Sequence, residues 1–148
     1  MTDDGIRAAT PADASAVRAV TEAAYHPYVE RIGVRPAPMD ADVGADIAAG
    51  RVFVTGDPVV GVLVLVPHGD HLLLESVAVR PDAHGRGIGG RLLDFAESFA
   101  REHGLPEVRL CTHVLMTENQ RIYGRRGYEE TARGRPDRHH RIHYSKRV

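Results

Sequence analysis

Residues 72–93, LLLESVAVRPDAHGRGIGGRLL, carry the pattern of this chain that most directly indicates a binding site. Their first part is apolar and predicts a strand, which Pro81 ends. An apolar helical repeat begins at Leu92, and four glycines precede it: Gly85, Gly87, Gly89 and Gly90. Glycines let the main chain approach a ligand closely, and the first N–H groups of a helix have no partner inside it. Because the helix dipole adds about half a positive charge there, the pattern predicts a site for a diphosphate.

Two familiar phosphate-binding loops fit these residues poorly. A P-loop needs Gly-Lys-Ser/Thr, whereas Gly90 is followed by Arg-Leu. Gly85, Gly87 and Gly90 do match the dinucleotide pattern G-x-G-x-x-G, which should be followed about 20 residues later by an acid that holds the ribose. The acid nearest to that distance is Glu107, which precedes the next predicted strand instead of ending it. In addition, too few elements follow for a doubly wound sheet. The dinucleotide interpretation is therefore a weak alternative.

A third kind of loop fits better. The segment His84-Gly85-Arg86-Gly87-Ile88-Gly89 resembles motif A of the GNAT superfamily of acetyl-CoA-dependent N-acetyltransferases, Gln/Arg-x-x-Gly-x-Gly/Ala, with His at the first position. Residues 119–128, NQRIYGRRGY, resemble motif B, in which an Asn precedes a Tyr by four residues and the helix ends at Gly-Phe or Gly-Tyr. Together with the order of elements, the resemblance covers nearly the whole chain.

The resemblance implies a site for acetyl-CoA that is built largely from main-chain groups. In GNAT proteins the fourth and fifth strands splay apart, and the pantetheine arm pairs with the fourth like an added strand. An N–H near Val77 would then point at the thioester carbonyl, and such a donor is commonly worth about 3 kcal/mol of barrier. A continuous sheet without a gap is the alternative. By resemblance, the residues that hold acetyl-CoA are Val77, Ala78, Val79, His84, Gly85, Arg86, Gly87, Ile88, Gly89, Gly90, Asn119 and Tyr123.

By its match to motif B, Tyr123 is the candidate general acid for the leaving thiolate, and it lies one helical turn after Asn119 on the same face. The alternative for Tyr123 is a half-buried packing residue. Asn119 by resemblance orders the pantetheine arm or a water, and a role at the helix start is equally compatible with its type.

Glu75 is the candidate base, because it is the one acid in an apolar strand. A carboxylate there must be paired, exposed to a cleft or raised in pKa. Strand parity predicts that Glu75 faces the same side as Leu73 and Val77. A structural role is as compatible with the sequence as a catalytic one. His113 and Glu118 are weaker candidates, and many GNAT proteins use a water chain.

Other charged and aromatic residues favour simpler roles. The pattern His139-His140-x-x-His143 suggests a metal, but a strand places alternate residues on opposite faces, so we expect no metal site. Arg125 and Arg126 could approach the 3′-phosphate of CoA or serve the helix C-terminus. The helix–loop region that lines the acceptor side in GNAT folds contains Tyr25, Tyr28, Arg31, Arg35 and Met39.

Composition indicates a single globular domain of 148 residues with a net charge of -1. This charge balance indicates no general affinity for nucleic acid or membranes. One cysteine, Cys111, excludes an internal disulfide, and the acidic N-terminus lacks an apolar signal core. We therefore expect a cytoplasmic protein. Homodimers are common in the superfamily, but no residue here fixes the oligomeric state.

The predicted fold is a mixed α/β, three-layer GNAT-like domain over residues 1–148, with a central mixed sheet of about seven strands splayed between the fourth and fifth, in the order βααββββαβαββ. Strands are predicted at 6–9, 51–55, 59–66, 72–79, 108–113, 128–133 and 141–146. Helices are predicted from Thr10 to about Tyr28, at 39–49, at 87–103 and from Thr117 to Gly127. Thr117-x-x-Gln120 resembles a capping box, and Gly50 is predicted to cap the second helix.

The resemblance to GNAT proteins implies an N-acetyltransferase that moves an acetyl group from acetyl-CoA to a primary amine by direct attack in a ternary complex. The acceptor is either a small-molecule amine or a peptide amine. The alternatives are a protein N-terminal or lysine acetyltransferase and a non-catalytic acyl-CoA-binding regulatory module. Neither nucleic acid nor membrane is expected as a partner.

Overall fold

A seven-stranded sheet forms the centre of the computed structural model, which describes residues 5–33, 35–133 and 140–148. The strands are β1 (Ile6–Ala8), β2 (Val52–Thr55), β3 (Gly61–Pro67), β4 (Leu72–Val79), β5 (Glu107–His113), β6 (Glu129–Arg133) and β7 (Arg141–Arg147). The helices are α1 (Ala14–Ile32), α2 (Val43–Ala48), α3 (Ile88–Glu102) and α4 (Thr117–Arg125). Three strands separate α2 from α3, in agreement with the predicted strand ranges, whereas the predicted order of elements contained four strands there.

The strands lie in the order β1-β2-β3-β4-β5-β7-β6, and β4 and β5 are the parallel neighbours in this otherwise antiparallel sheet. One buried cluster joins β2, β3 and the end of β4 to α1 and α2. The other joins β3, β4, β5 and β7 to α3 and α4. Helices therefore cover both faces of the sheet, and the predicted mixed α/β, three-layer fold is confirmed.

Two helices on the α1 side differ from their predicted bounds. Helix α1 continues past Tyr28 to Ile32 although it contains Pro27, and it ends where Gly33 adopts a φ of 85° and donates its N–H to the Val29 carbonyl. The second predicted helix is broken into a 3-10 turn at Ala37–Asp40 and the short α2, because the Asp42 carboxylate caps α2 by accepting from the Ala45 N–H. Gly50 follows α2 with a φ of 74°, as predicted.

Helix α4 starts without the predicted capping box. Thr117 is the first helical residue, not the N-cap, and its hydroxyl contacts the Glu118 carboxylate. The Gln120 side chain instead donates to the Val114 carbonyl at 2.7 Å. This bond ties α4 to the end of β5 and so helps to set the position of the residues further along the helix.

Candidate active site

The central sheet opens between β4 and β5. The two strands share the residue pairs Leu72–Val108 and Leu73–Arg109 at their starts, and β4 has no register partner on β5 beyond them. The predicted splay is therefore confirmed, and a continuous sheet is excluded. The gap lies beside the C-terminal half of β4, where the predicted arm-binding residues are found.

Main-chain groups of β4 face this gap at alternate residues. The Arg80 N–H donates to the Val60 carbonyl of the β3 side at 2.8 Å. Since the direction of N–H and C=O groups alternates along a strand, Ala78 also faces β3, whereas Val77 and Val79 face the gap. The side chain of Ala78 is buried against the α1 layer. Of the three residues expected to pair with the arm, Val77 and Val79 thus have the required orientation.

The glycine loop lies at the end of β4 and leads directly into α3. Gly85 and Gly87 have φ values of 84° and 74°, a backbone conformation that favours glycine. The Arg91 N–H bonds to the Gly87 carbonyl at 3.1 Å, so the N–H groups of the three preceding residues have no partner within the helix. These groups and the helix dipole make the start of α3 attractive to an anion.

A cavity of about 520 Å³ extends from this loop along the gap; we call it the loop cavity. Its lining contains eleven of the twelve predicted acetyl-CoA residues, and nine of them lie on β4, the loop and the start of α3: Val77, Ala78, Val79, His84, Gly85, Gly87, Ile88, Gly89 and Gly90. Asn119 and Tyr123 of α4 line it from the other side. Arg86 is exposed and lies outside the lining. The His84 ring approaches the Val79 carbonyl at 3.3 Å, so it contacts the strand that borders the cavity.

A second cavity of about 280 Å³ lies on the other side of Tyr123; we call it the strand cavity. Strands β4 and β5 and the 3-10 turn at Ala37–Asp40 contribute to its walls, and Glu75 and His113 are among its lining residues. Residues that line both cavities are Tyr25, Val77, Met116, Asn119 and Tyr123. The two cavities therefore meet where the candidate acid and the β4 main chain come together.

Tyr123 is buried at this junction, with 5% of its surface exposed. Its ring packs on Tyr128 and Tyr144, with a distance of 5.8 Å between ring centroids in each pair. Burial raises the pKa of the Tyr123 hydroxyl, so the phenol stays protonated through the neutral range. Among the described residues nothing hydrogen-bonds to this hydroxyl, which leaves it available to a bound molecule. Asn119 donates to the Thr112 hydroxyl at 3.4 Å.

A β-bulge changes the expected orientation of Glu75. The β3–β4 register shifts from Val64↔Ser76 to Leu65↔Leu74, so Glu75 is the extra residue on β4. Leu74 therefore packs on the α3 side and Ala78 on the α1 side, although regular alternation would place them together. Glu75 lines the strand cavity together with Leu73. Val77 also borders this cavity, but its side chain packs against the α3-side cluster. The prediction that Glu75 and Val77 face one side was wrong because the bulge reverses the alternation.

Tyr25 was expected on the acceptor side and lies between the two cavities. Its hydroxyl donates to the Val77 carbonyl at 3.2 Å and lies 3.4 Å from the Ser76 hydroxyl. Burial raises the pKa of Tyr25 as well. Sequence patterns did not single out Ser76, since a serine in a strand has no distinctive spacing.

Helices α1 and α4 are joined across the mouth of the gap by a cluster that we call the clasp: Tyr28, Arg31 and Glu118. Arg31 binds the Glu118 carboxylate at 2.7 Å and lies 4.9 Å from the centre of the Tyr28 ring. The hydrogen bond from Arg31 lowers the pKa of Glu118 to about 2. Glu118 is therefore a poor base, which weakens its candidacy. His113 accepts from the Leu115 N–H at 3.0 Å through Nδ1, which commits one ring nitrogen.

The remaining predicted residues are placed as follows. Arg126 forms ion pairs with Asp94 and Glu97, which favours the structural role over a phosphate contact. Arg125 is exposed at the end of α4, and Met39 lies outside the lining of both cavities. His139 lies outside the described residues. Within the described ranges, no group of three or more His, Cys, Asp or Glu side chains is arranged to hold a metal ion.

Comparison with known proteins assigns the fold and the family. The sequence matches the acetyltransferase (GNAT) family over residues 18–128, and the chain belongs to this family. The PaiA N-acetyltransferase from Thermoplasma acidophilum, solved in complex with coenzyme A, superposes with a TM-score of 0.81 over 97% of this chain and 98% of that one, at 16% identity. Ard1 from Thermoplasma volcanium superposes with a TM-score of 0.76 over 97% and 96% of the two chains, at 21% identity.

A mycothiol acetyltransferase from Rhodococcus opacus (strain B4) is 38% identical over 85 residues. The match covers 57% of this chain and 27% of that protein, so it spans about a quarter of the relative's length. No helix among the described residues is long and apolar enough to cross a membrane.

Proposed function

We propose that this protein transfers an acetyl group from acetyl-CoA to a primary amine by direct attack within a ternary complex. The observation that carries the proposal is the meeting of two cavities at one point of the split sheet. The loop cavity offers an anion site and the main-chain N–H groups of Val77 and Val79, which have no partner strand on that side, and the strand cavity offers a carboxylate. Tyr123 borders both, so a donor molecule and an acceptor could meet at its hydroxyl.

The residues around the loop cavity fit acetyl-CoA. The diphosphate would lie at the N–H groups that open α3, and the pantetheine arm would pair with main-chain groups of Val77 and Val79. Asn119 would order the arm, and Arg86 would contribute through its main chain, since its side chain lies outside the cavity. Bound acetyl-CoA supplies the acetyl group as an activated thioester. A main-chain N–H of Val77 directed into the gap would stabilise the thioester carbonyl oxygen.

Proton transfer is assigned to two side chains on opposite sides of the junction. Glu75 in the strand cavity would take a proton from the acceptor ammonium, whose pKa is about 10.4 when it is unperturbed. The Tyr123 hydroxyl would donate a proton to the departing sulfur. Its raised pKa keeps the proton in place beforehand, and the buried surroundings also disfavour a free thiolate.

The acceptor class separates this proposal from its rivals. A protein N-terminal or lysine acetyltransferase would share the loop cavity, and a regulatory module would bind acetyl-CoA without turnover. We also propose that the protein is cytoplasmic, because its single thiol, Cys111, suits a reducing compartment.

The experiment is thiol release from acetyl-CoA with a broad panel of amines and short peptides. We expect at least one amine to accelerate release well above the rate with acetyl-CoA alone, and mass spectrometry should show the acetylated amine. Tight acetyl-CoA binding without acceleration by any acceptor would favour the regulatory module. Acceleration by peptides alone would favour the protein acetyltransferase.

A further inference from the structure

Arg141 brings a positive charge to the strand cavity from the far side of the sheet gap. It is the first residue of β7, lies opposite His113 in the β5–β7 register and lines the strand cavity. No described residue forms an ion pair or a hydrogen bond with its guanidinium. The other arginine of this cavity, Arg35, is already bound to Asp40 at 2.9 Å and Glu22 at 3.3 Å. Arg141 is thus the cationic side chain of the described lining that remains available to a ligand.

The surroundings of Cys111 support this position for the Arg141 charge. Cys111 lines the same cavity and faces His143 in the register, two residues along β7 from Arg141. Burial raises the pKa of the Cys111 thiol, and the Arg141 charge acts against this by lowering it. Register partners, and residues two apart on one strand, share a face of the sheet, so Arg141 and Cys111 point to the same face.

Glu75 supplies the opposite charge on the β4 wall. Strands β4 and β7 are separated by β5, so ordinary strand spacing puts their main chains about 10 Å apart, and the splay adds to this. Glu75 and Arg141 form no ion pair with each other. A carboxylate and a guanidinium thus face a cavity of about 280 Å³ from opposite walls without neutralising each other.

We propose that the acceptor is a small primary amine that carries an anionic group, a carboxylate or a phosphate, at its other end. The ammonium would lie at Glu75 and the anionic group at Arg141. This inference rests on the proposed acetyl transfer, which it makes specific. A peptide N-terminus suits the cavity less well, because its own carboxyl is consumed in the first peptide bond and a neutral amide would approach Arg141.

The test compares amines that differ in the distal group: 4-aminobutyrate, O-phosphoethanolamine and butylamine. We expect kcat/KM to be at least about 10-fold higher for the better of the two anionic amines than for butylamine. The anionic amine with the higher kcat/KM identifies the preferred distal group as a carboxylate or a phosphate. Arg141→Gln should raise KM for the preferred anionic amine about 10- to 100-fold, as expected for a charge-assisted hydrogen bond, and leave kcat and the butylamine kinetics nearly unchanged. Arg147→Gln, on the same strand but outside the cavity, is the matched control and should change neither value.

A second test reverses the charge at this position: Arg141→Glu should have a higher kcat/KM for 1,4-diaminobutane than for 4-aminobutyrate. Equal kcat/KM for anionic and neutral amines, or acetylation of peptides alone, would overturn the acceptor class while acetyl transfer itself stands. If no amine releases thiol, the proposed function fails. In that case, calorimetric titration of the CoA-loaded protein with the two anionic amines tests whether the binding site itself exists. Binding that Arg141→Gln abolishes would support the site, and absence of binding would overturn it.

Discussion

At the scale of single residues, Tyr123 combines two properties that a general acid for this reaction needs. Its ring is locked between Tyr128 and Tyr144, and its hydroxyl has no described hydrogen-bond partner. Packing therefore sets where the proton is held, while the hydroxyl remains free to donate. Burial raises the pKa of the hydroxyl, so in the proposed reaction proton donation would be coupled to departure of the sulfur and would not precede it.

We expect Tyr123→Phe to lower kcat about 10²-fold or more and to leave the affinity for acetyl-CoA nearly intact. The ring and its contacts persist, so only the proton donor is lost. Turnover and equilibrium binding of acetyl-CoA should be measured on the same preparation. Tyr128→Phe is a matched control, because that hydroxyl donates to Glu97 at 3.3 Å and lies outside both cavities. Unchanged turnover in Tyr123→Phe would remove the acid role, and lost acetyl-CoA binding would make the hydroxyl a cofactor contact.

Glu75 is expected to control the pH dependence of turnover. Glu75→Gln keeps the shape and the hydrogen-bonding capacity but cannot accept a proton from the acceptor. Turnover should fall about 10²-fold or more at neutral pH and recover in part at high pH, where free amine is abundant. The measurement is kcat/KM against pH for both proteins. A variant with the wild-type profile and a lower melting temperature would show that Glu75 is structural.

At the scale of elements, the β4–loop–α3 unit is the part of the fold that binds the proposed donor. The splay from β5 leaves the C-terminal half of β4 without a partner strand on that side, and the glycines let α3 start beside it. Gly89 lies in the first turn of α3, and a Cβ added there would come no closer to a described residue than 3.9 Å from Val79 Cγ2. The fold itself therefore has room for a larger side chain at this position.

We expect Gly89→Val to fold normally and to lose acetyl-CoA binding, because the new side chain would project toward the diphosphate site. Acetyl-CoA at about 100 times its Kd should stabilise the wild type by roughly 2.7 kcal/mol, and the variant should show no such gain in melting temperature. Gly124→Val is the matched control, a helical glycine outside both cavities where an added Cβ meets nothing within 4 Å. Retained stabilisation in Gly89→Val would place the diphosphate elsewhere. If NADH and not acetyl-CoA raised the wild-type melting temperature, the dinucleotide interpretation would replace ours.

At the scale of the whole molecule, the split sheet is held together from three directions. Two residue pairs join β4 to β5 at one end of the gap, and the α3-side core spans both halves. The clasp ties α1 to α4 at the other end through Arg31 and Glu118. The Glu118 side chain is half exposed, so this ion pair stabilises the fold only modestly.

Because of the clasp, the free energy of unfolding should decrease as the pH falls below about 4.5. The pKa of Glu118 is lowered to about 2 in the folded protein from an ordinary value of about 4.3, so its stabilisation is present above about pH 4.5 and is lost as the pH falls toward 2. Glu118→Gln should therefore cost about 0.2–1 kcal/mol in the free energy of unfolding at pH 7, and the difference should shrink at pH 4 and 3. Urea unfolding at each pH measures this. Glu102→Gln, at the exposed end of α3, is the control; a pH-independent deficit for Glu118→Gln would contradict the ion-pair account.

Local sequence determined the elements that carry the acetyl-CoA prediction. The apolar strand at Leu72–Val79, the glycines of the loop and the amphipathic α3 all lie close to their predicted positions, because propensity and periodicity act over a few neighbouring residues. The predicted helix ends differed from the observed ones where a capping residue sets the end. Gly33 extended α1, and Asp42 restarted α2.

Tertiary structure decided what those elements surround. Glu75 reaches the strand cavity because the β3–β4 register shifts, which depends on a partner strand and leaves no mark in the spacing of β4. Arg141 enters the same cavity because β7 lies beside β5, although Arg141 and His113 are 28 positions apart along the chain. Glu97 is buried only because Lys146 and Tyr128 approach it from other elements. Residue type indicates which chemistry a side chain can do, and long-range packing determines which side chains meet to do it.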